Sequence, residues 1–227
     1  MSTEELTAFV LSLKVALVAT LFSLPVAVAL AFVLARKTFW GKPILHALIH
    51  LPLILPPVAT GYLLLSTFGK KGYVGAFLWD WFGFTFAFRW TGAALAAGLM
   101  ALPLFVQTIR VVMEASDSRL EGAAATLGAS PWRRFFTITL PLAFPGILAG
   151  ALLCFVKALG EFGATITFVS NIPGETQTLA LAIYSFLQTP NGDAAALRLI
   201  SLSILIAFAA LLASDYVNRA LQKRLKG

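Results

Sequence analysis

The feature that most constrains this chain is a set of five apolar stretches, each long enough to cross a lipid bilayer as a helix. They cover residues 8–35, 44–68, 91–113, 137–159 and 197–217, and a spanning helix needs roughly 20 mostly apolar residues. Only 12% of the 227 residues are charged, whereas about 25% are charged in an average soluble domain. The sequence therefore predicts one all-α integral membrane domain over residues 1–227, with about five core transmembrane helices.

Two further apolar pieces, residues 162–172 and 179–187, are too short to cross a bilayer alone. We interpret them as a re-entrant or surface excursion. A sixth span assembled from the region 160–190 would place four polar or helix-breaking residues in lipid: Asn171, Pro173, Gly174 and Glu175. Prolines within the long stretches predict kinked helices around a cavity, since proline removes a backbone donor. They are Pro25, Pro52, Pro56, Pro57, Pro103, Pro141 and Pro145.

The distribution of Lys and Arg predicts the orientation of the spans, because cytoplasmic loops carry an excess of these residues. Eleven border one side: Arg36, Lys37, Lys42, Arg110, Arg119, Arg133, Arg134, Arg219, Lys223, Arg224 and Lys226. Four border the other: Lys70, Lys71, Arg89 and Arg198. We therefore expect the amino terminus outside and the carboxyl terminus in the cytoplasm. The flank Ser2-Thr3-Glu4-Glu5 is acidic where a signal peptide is basic, so the first stretch is predicted to be a retained helix.

Aromatic residues crowd the loop between the second and third stretches, as is typical of the interface between membrane and water. They are Tyr73, Phe77, Trp79, Trp81, Phe82, Phe84, Phe86, Phe88 and Trp90. An interfacial belt explains them better than an aromatic ligand cage.

The motifs of enzymes and cofactor sites are not found in the sequence. It contains no phosphate-binding loop and no H-E-x-x-H. His46 and His50 lie four residues apart without an evident third metal ligand, and Cys154 is the single cysteine, in an apolar run. We expect no catalytic residue, metal or bound cofactor in this chain.

Ionisable residues within membrane spans are costly and therefore suggest function. Lys14 lies about two turns into the first span, where it either contacts an anion or extends to the outer interface. Lys157 and Glu161 are either a local ion pair or a guide for an anion.

Residues 116–136 form the longest stretch on the predicted cytoplasmic side. Ser118 followed by Glu121 predicts a capping box at the start of a short helix. Gly128 is placed to end that helix, and Ser130-Pro131 fits the start of another. The first helix would carry Leu120, Ala124 and Leu127 on one face, either resting on its own subunit or docking on a partner.

Gly146 and Gly150 on the fourth span form a G-x-x-x-G that suits helix packing within the subunit or dimerisation.

The same segment carries a family resemblance. Ala123-Ala124, then Gly128, then nine residues, then Ile138-Thr139-Leu140-Pro141 resembles the E-A-A-x-x-x-G-x9-I-x-L-P signature of permease subunits in binding-protein-dependent ABC importers. Gly122 occupies the position of the signature glutamate, and Glu121 lies one residue earlier.

Further stretches resemble the molybdate permeases of that family, whose relatives carry tungstate or sulfate. They are Leu51-Pro52-Leu53-Ile54-Leu55-Pro56-Pro57-Val58, Thr137-Ile138-Thr139-Leu140-Pro141-Leu142 and, as the most specific one, residues 160–176. The resemblance covers nearly the whole chain. It implies the type I ABC importer permease fold in the bacterial inner membrane.

The resemblance also implies partners and roles. They are a second copy of this chain, two copies of a cytoplasmic ATPase that holds ATP and Mg²⁺, and a periplasmic oxyanion-binding protein; nucleic acid is not among them. The implied ATPase-coupling residues are Arg119, Leu120, Glu121, Ala123, Ala124, Leu127 and Gly128. For the anion path, the sequence offers Lys14, Lys157, Thr60 and Gln107, with Ser23, Ser66, Thr91 and Thr108 as further polar candidates.

Two other classes of function fit less well. An autonomous secondary transporter should show two repeated halves and more carboxylates within the spans. An intramembrane enzyme would need paired acids or a Ser/His/Asp set at membrane depth, and the spans offer no convincing one.

Overall fold

A computed structural model describes residues 2–226, with the side chains of residues 2–213, Asp215 and Tyr216. The regular elements of this part of the chain are helices. They are α1 (Thr3–Arg36), α2 (Lys42–Ile54), α3 (Pro57–Phe68), α4 (Tyr73–Phe82), α5 (Trp90–Ala115), α6 (Arg119–Thr126), α7 (Pro131–Arg134), α8 (Leu140–Leu159), α9 (Gly163–Val169), α10 (Leu179–Leu187) and α11 (Asp193–Lys226).

The core of the molecule is the contact of α5 with α1 on one side and with α8 on the other. Small residues make this contact, as is typical of membrane helices, because they let backbones approach closely. Buried alanines in α1 and α5 include Ala16, Ala19, Ala27, Ala31, Ala93, Ala96, Ala97 and Ala101. The predicted G-x-x-x-G lies within the subunit: a Cβ on Gly146 would meet Val112 at 2.8 Å, and one on Gly150 would meet Phe105 at 2.7 Å.

The second predicted span is not one continuous helix. The chain breaks after Ile54, and α2 and α3 meet at 110°. Pro56 and Pro57 explain the break, because proline disfavours helix in the residue before it and donates no hydrogen bond. The predicted span over residues 44–68 is therefore two helices with a sharp break between them, at prolines that were expected to kink it.

Residues 160–190 form two short helices instead of a sixth span, in agreement with the re-entrant interpretation. The first, α9, packs closely on α3. A Cβ on Gly163 would meet Pro57 at 2.6 Å, and one on Gly61 would meet Thr167 at 2.9 Å. The two helices α3 and α9, each too short to cross a bilayer, thus pack against each other.

The other spans extend beyond their predicted limits. Among the described residues, four helical segments are long and apolar enough to cross a membrane: Thr3–Arg36, Trp90–Ala115, Pro131–Leu159 and Asp193–Ala213; the bent pair would make a fifth. The third of them includes a π-helical turn, Phe135–Thr139, in which the amide of Leu140 donates to the carbonyl of Phe135. This wider turn comes directly before Pro141, where an ordinary helix would lack a donor.

The aromatic region between the second and third spans is not only a loop, because α4 lies within it. Tyr73, Trp81 and Phe82 on this helix are largely exposed. Exposed rings here are what an interfacial belt requires.

Polar contacts join the ends of neighbouring helices. Arg198 at the start of α11 pairs with the buried carboxylate of Glu5 at the start of α1, at 2.5 Å. Arg36 at the opposite end of α1 donates to Ser116 at the end of α5.

The glycine contact between α8 and α5 gives a testable consequence. Gly150→Val should place a branched side chain against Phe105 and destabilise the protein by about 1–3 kcal/mol, the usual effect of overpacking. The midpoint of thermal unfolding in detergent should fall. Gly122→Ala is the matched control because a Cβ there has no neighbour within 4 Å; equal midpoints for both variants would contradict this packing.

Candidate functional site

The segment between α5 and α8 begins differently from its prediction. Ser118 makes no side-chain capping bond, and its backbone is already helical. Asp117 takes that role in part, since its Oδ1 accepts from the amide of Arg119 at 2.9 Å. The predicted capping box was therefore wrong, because the carboxylate of Glu121 is occupied elsewhere.

The end of α6 agrees with its prediction. Gly128 has a positive φ of 81°, a conformation that glycine adopts without strain. The amide of Gly128 donates to the carbonyl of Ala125 at 3.0 Å, and that of Ala129 donates to Ala124 at 3.0 Å. This pair of bonds is a Schellman motif. The following helix also starts as predicted, with Ser130 Oγ accepting from the amide of Arg133.

The outer surface of this segment is unusually apolar. Four large side chains are exposed: Leu120 by 50%, Leu127 by 87%, Trp132 by 74% and Phe136 by 58%. Ala123 is exposed as well, whereas Ala124 is only half-buried and the side chain of Arg119 is 93% exposed. Leu120 and Leu127 lie outside the spans, where exposed hydrophobic surface is typical of a protein interface, whereas Trp132 and Phe136 lie at the start of the segment Pro131–Leu159.

The inner side of α6 is tied to the spans by one arginine. Arg36 Nε lies 2.9 Å from Glu121 Oε1, and both side chains are largely buried, with 12% and 19% exposed. The same guanidinium donates through Nη2 to Ser116 Oγ at 2.6 Å and to the Ser116 carbonyl at 3.3 Å. Ser116 Oγ in turn donates to the carbonyl of Met113. Arg36 therefore joins the ends of α1 and α5 to α6; we call these contacts the Arg36 clamp.

Sequence reasoning missed the clamp. Arg36 was used only as a marker of the cytoplasmic side, and Glu121 was assigned to a cap. One feature of the sequence could have indicated it: Glu121 is the single acid within residues 118–134, and Arg36 ends the first span on the same side.

The four residues proposed for an anion path lie on four different helices. Lys14 on α1 lies against the start of α5, with its Nζ 3.6 Å from the centroid of the Trp90 ring. Lys157 on α8 pairs with Glu161 at 3.6 Å. Thr60 on α3 is buried and its hydroxyl has no partner within the described residues, while Gln107 on α5 is exposed.

Glu161 has a structural role besides its ion pair. Its side chain is only 3% exposed, and Oε1 accepts from the amide of Ala164 at 3.0 Å. It therefore holds the start of α9, which agrees with the local ion-pair interpretation.

The other polar residues proposed for the anion path lie in different places. Ser23 and Thr91 line one mostly apolar cavity of about 480 Å³ between α1 and α5. Ser66 lines a second cavity, and Thr108 donates to the carbonyl of Leu104 in its own helix. The rings of His46 and His50 stack with centroids 4.2 Å apart.

The geometry agrees with the family that the sequence resembles. A family model described as "Binding-protein-dependent transport system inner membrane component" matches residues 23–225. The chain belongs to this family.

Several related proteins align with this permease over nearly its whole length. The molybdenum transport system permease protein ModB of Escherichia coli K12 is 54% identical over 220 residues, which are 97% of this chain and 96% of the relative. The protein of the same name from Haemophilus influenzae is 53% identical over 97% of this chain and 96% of its own. The sulfate transport system permease protein CysT of E. coli K12 is 34% identical over 208 residues, which are 90% of this chain and 75% of the relative.

Solved structures show the same fold at low sequence identity. An inward-facing form of the MetNI methionine ABC transporter aligns with a TM-score of 0.67 at 16% identity, over 97% of this permease and 99% of that chain. A bacterial alginate ABC transporter, in complex with its alginate pentasaccharide-bound periplasmic protein, aligns with a TM-score of 0.69 at 18% identity, over 96% and 78%. The permease therefore has the type I ABC importer fold.

The Arg36 clamp can be tested by removing either partner. Glu121→Gln or Arg36→Gln leaves one charge largely buried without its partner, and we expect each to destabilise the attachment of α6 by about 1–3 kcal/mol. Limited proteolysis within residues 116–130 should become faster, while the yield of membrane-inserted protein stays unchanged.

The control is Arg119→Gln, because that side chain is exposed and lies 3.9 Å from Asp117. The charge swap Arg36→Glu with Glu121→Arg should restore part of the protection. Equal cleavage rates for Glu121→Gln and the control would show that the clamp does not hold α6.

Proposed function

We propose that this chain is the membrane-spanning permease subunit of an ATP-driven importer of molybdate. The observation that carries the proposal is the 54% identity, over 97% of the chain, to a protein named as a molybdenum transport system permease. The sulfate permease relative is 34% identical. Sulfate is a tetrahedral dianion like molybdate, so sulfate and tungstate are the alternatives that the substrate test must separate.

The proposed assembly contains two copies of this chain, two copies of a cytoplasmic ATPase and a periplasmic oxyanion-binding protein. ATP and Mg²⁺ belong to the ATPase, and no reaction is catalysed by this chain. The amino terminus lies outside and the carboxyl terminus in the cytoplasm. The excess of Lys and Arg at one end of the spans supports this orientation.

The proposed coupling element within residues 116–136 is α6 with its flanks. The ATPase would bind the exposed side, through Arg119, Leu120, Ala123 and Leu127, while Ala124 and Glu121 face the spans. Gly128 ends the element. Because the Arg36 clamp ties α6 to two spans, closure of the ATPase dimer would move those helix ends together with α6.

The proposed anion path uses weak contacts. A dianion held by several buried charges would be trapped, whereas a path of scattered polar groups lets it leave. Thr60 offers an unpartnered hydroxyl, Gln107 an exposed amide, and Lys14 a cation at the outer end. Lys157 is partly neutralised by Glu161, which suits brief contact with an anion.

Uptake by a reconstituted system tests the function. Proteoliposomes that contain this permease, its ATPase and external binding protein should accumulate radiolabelled molybdate only with ATP inside. Vesicles with the permease alone should accumulate none, even under a proton gradient. Uptake driven by that gradient would favour a secondary transporter, and faster uptake of sulfate or tungstate than of molybdate would change the substrate.

The end of α6 provides a matched pair of variants. Gly128→Val should prevent co-purification with the ATPase, since a β-branched residue does not tolerate a φ of 81°. Gly128→Asn should retain most of it, because asparagine adopts this conformation far more easily. A Cβ at this position meets no atom within 4 Å, so any difference reports the backbone. Equal ATPase recovery with both variants would contradict the coupling role.

A further inference from the structure

A basic cavity lies at the end of the protein where α3 ends and α5 begins. Its volume is about 650 Å³, and its walls come from the end of α3, the start of α4 and the loop before α5. Three cationic side chains line it: Lys70, Lys71 and Arg89. They are three of the four basic residues that the sequence places outside the cytoplasm.

None of these cations is neutralised by an acid in the described part of the chain. The ion pairs found there involve other residues. Lys70 Nζ lies 3.8 Å from the centroid of the Trp79 ring, and Arg89 Cζ lies 5.8 Å from that of Phe84. Aromatic faces position a cation without cancelling its charge. The nearest acid in sequence, Asp80, does not line the cavity. The cavity therefore carries three positive charges without a counterion.

Two helices begin at this cavity. Gly72 precedes α4, Arg89 precedes α5, and both residues line the cavity. Neither helix has a side-chain hydrogen bond at its N-cap. The first amides of a helix lack acceptors within the helix and attract anions. The positive ends of two helix dipoles therefore lie near the three cationic side chains.

A buried hydroxyl in the same wall has no partner. Thr85 lines the cavity and is 6% exposed, and its Oγ1 makes no hydrogen bond within the described structure. Buried hydroxyls are normally bonded, and this oxygen, which has almost no accessible surface, would reach a ligand only after a small movement of the wall. Phe88 in this wall has a positive φ of 60°. For a bulky residue this conformation is strained and is often found at ligand sites.

We propose that this cavity binds a tetrahedral oxyanion at the outer mouth of the permease. The identity of the anion, molybdate or its analogue sulfate, rests on the proposed function. The expectation that the cavity binds a small anion rests on the cavity alone. Because the three cations are exposed to solvent, binding is weak and sensitive to salt. Weak binding suits an anion that is received and passed on. The phosphate group of an anionic lipid is also a tetrahedral anion, and it is the alternative occupant of the cavity.

Equilibrium dialysis of radiolabelled molybdate and sulfate against the permease in nanodiscs tests the proposal. In discs of zwitterionic phosphatidylcholine, the wild type should bind each anion saturably, and binding should decrease as chloride is raised. Lys71→Gln and Arg89→Gln should each weaken binding at least about tenfold, the effect of losing one charge-assisted contact. Lys37→Gln, an exposed cation near the opposite end of α1, is the matched control and should bind as the wild type.

A second readout uses Trp79, beneath Lys70. Molybdate should change the tryptophan emission of the wild type, and Trp79→Phe should remove that change while binding by dialysis persists. This separates a local site from a general response of the protein.

Three outcomes would overturn the proposal. Binding that is equal in Lys71→Gln, Arg89→Gln and Lys37→Gln would place the anion elsewhere. Absence of binding, with normal molybdate uptake in the reconstituted system, would refute the cavity and leave the proposed function intact. Co-purification of phosphatidylglycerol that is lost in Lys71→Gln, while oxyanion binding is unchanged, would assign the cavity to a lipid headgroup.

Discussion

The close contact of α1, α5 and α8 through alanine and glycine is the interaction on which the rest of the structure depends. In a bilayer, apolar side chains gain little from facing protein instead of lipid, so helices associate mainly through close packing. Here that packing places the ends of α1 and α5 side by side. At one end Arg36 can therefore reach both Ser116 and Glu121, and at the other Lys14 lies against Trp90. The proposed coupling surface and the proposed outer mouth are thus positioned by the same contact.

The two ends of the permease differ in how they treat charge. At the end that carries α6, which we propose to be cytoplasmic, the inner side of α6 is neutralised by the Arg36 clamp and its outer side presents apolar groups. At the opposite end, Lys70, Lys71 and Arg89 are left without acids in the described part of the chain. A rigid, neutral attachment suits the transmission of motion, whereas uncompensated cations suit a transient anion. The spans between them carry few charges, in agreement with a conduit whose affinity for substrate lies on a partner.

The sequence predicts most of this fold because the membrane leaves few choices. Long apolar stretches become helices wherever backbone groups cannot reach water, and four of the five predicted spans are continuous helical segments. The prolines at 56 and 57 predicted a kink and not a full break, because hydropathy is unchanged across them; in the structure α9 packs against α3 after the break. At the coupling segment, the glycine end of α6 followed from local chemistry. The capping box did not, because the carboxylate of Glu121 is taken by Arg36, 85 residues away, and no local pattern reports such a contact.

The shift of the acid from the signature position to Glu121 has a consequence for partner choice. One residue along an α-helix is a rotation of about 100°. In this chain the carboxylate is turned toward Arg36 and is largely shielded by it, and Gly122 leaves a bare patch of backbone where the signature has an acid. The groove of a cytoplasmic subunit that recognises the signature glutamate would hold a cation to pair with it. Against this chain, that cation would be buried opposite Gly122 without a counterion. On the proposed coupling role, the position of this single carboxylate would help to determine which ATPase subunit α6 can bind.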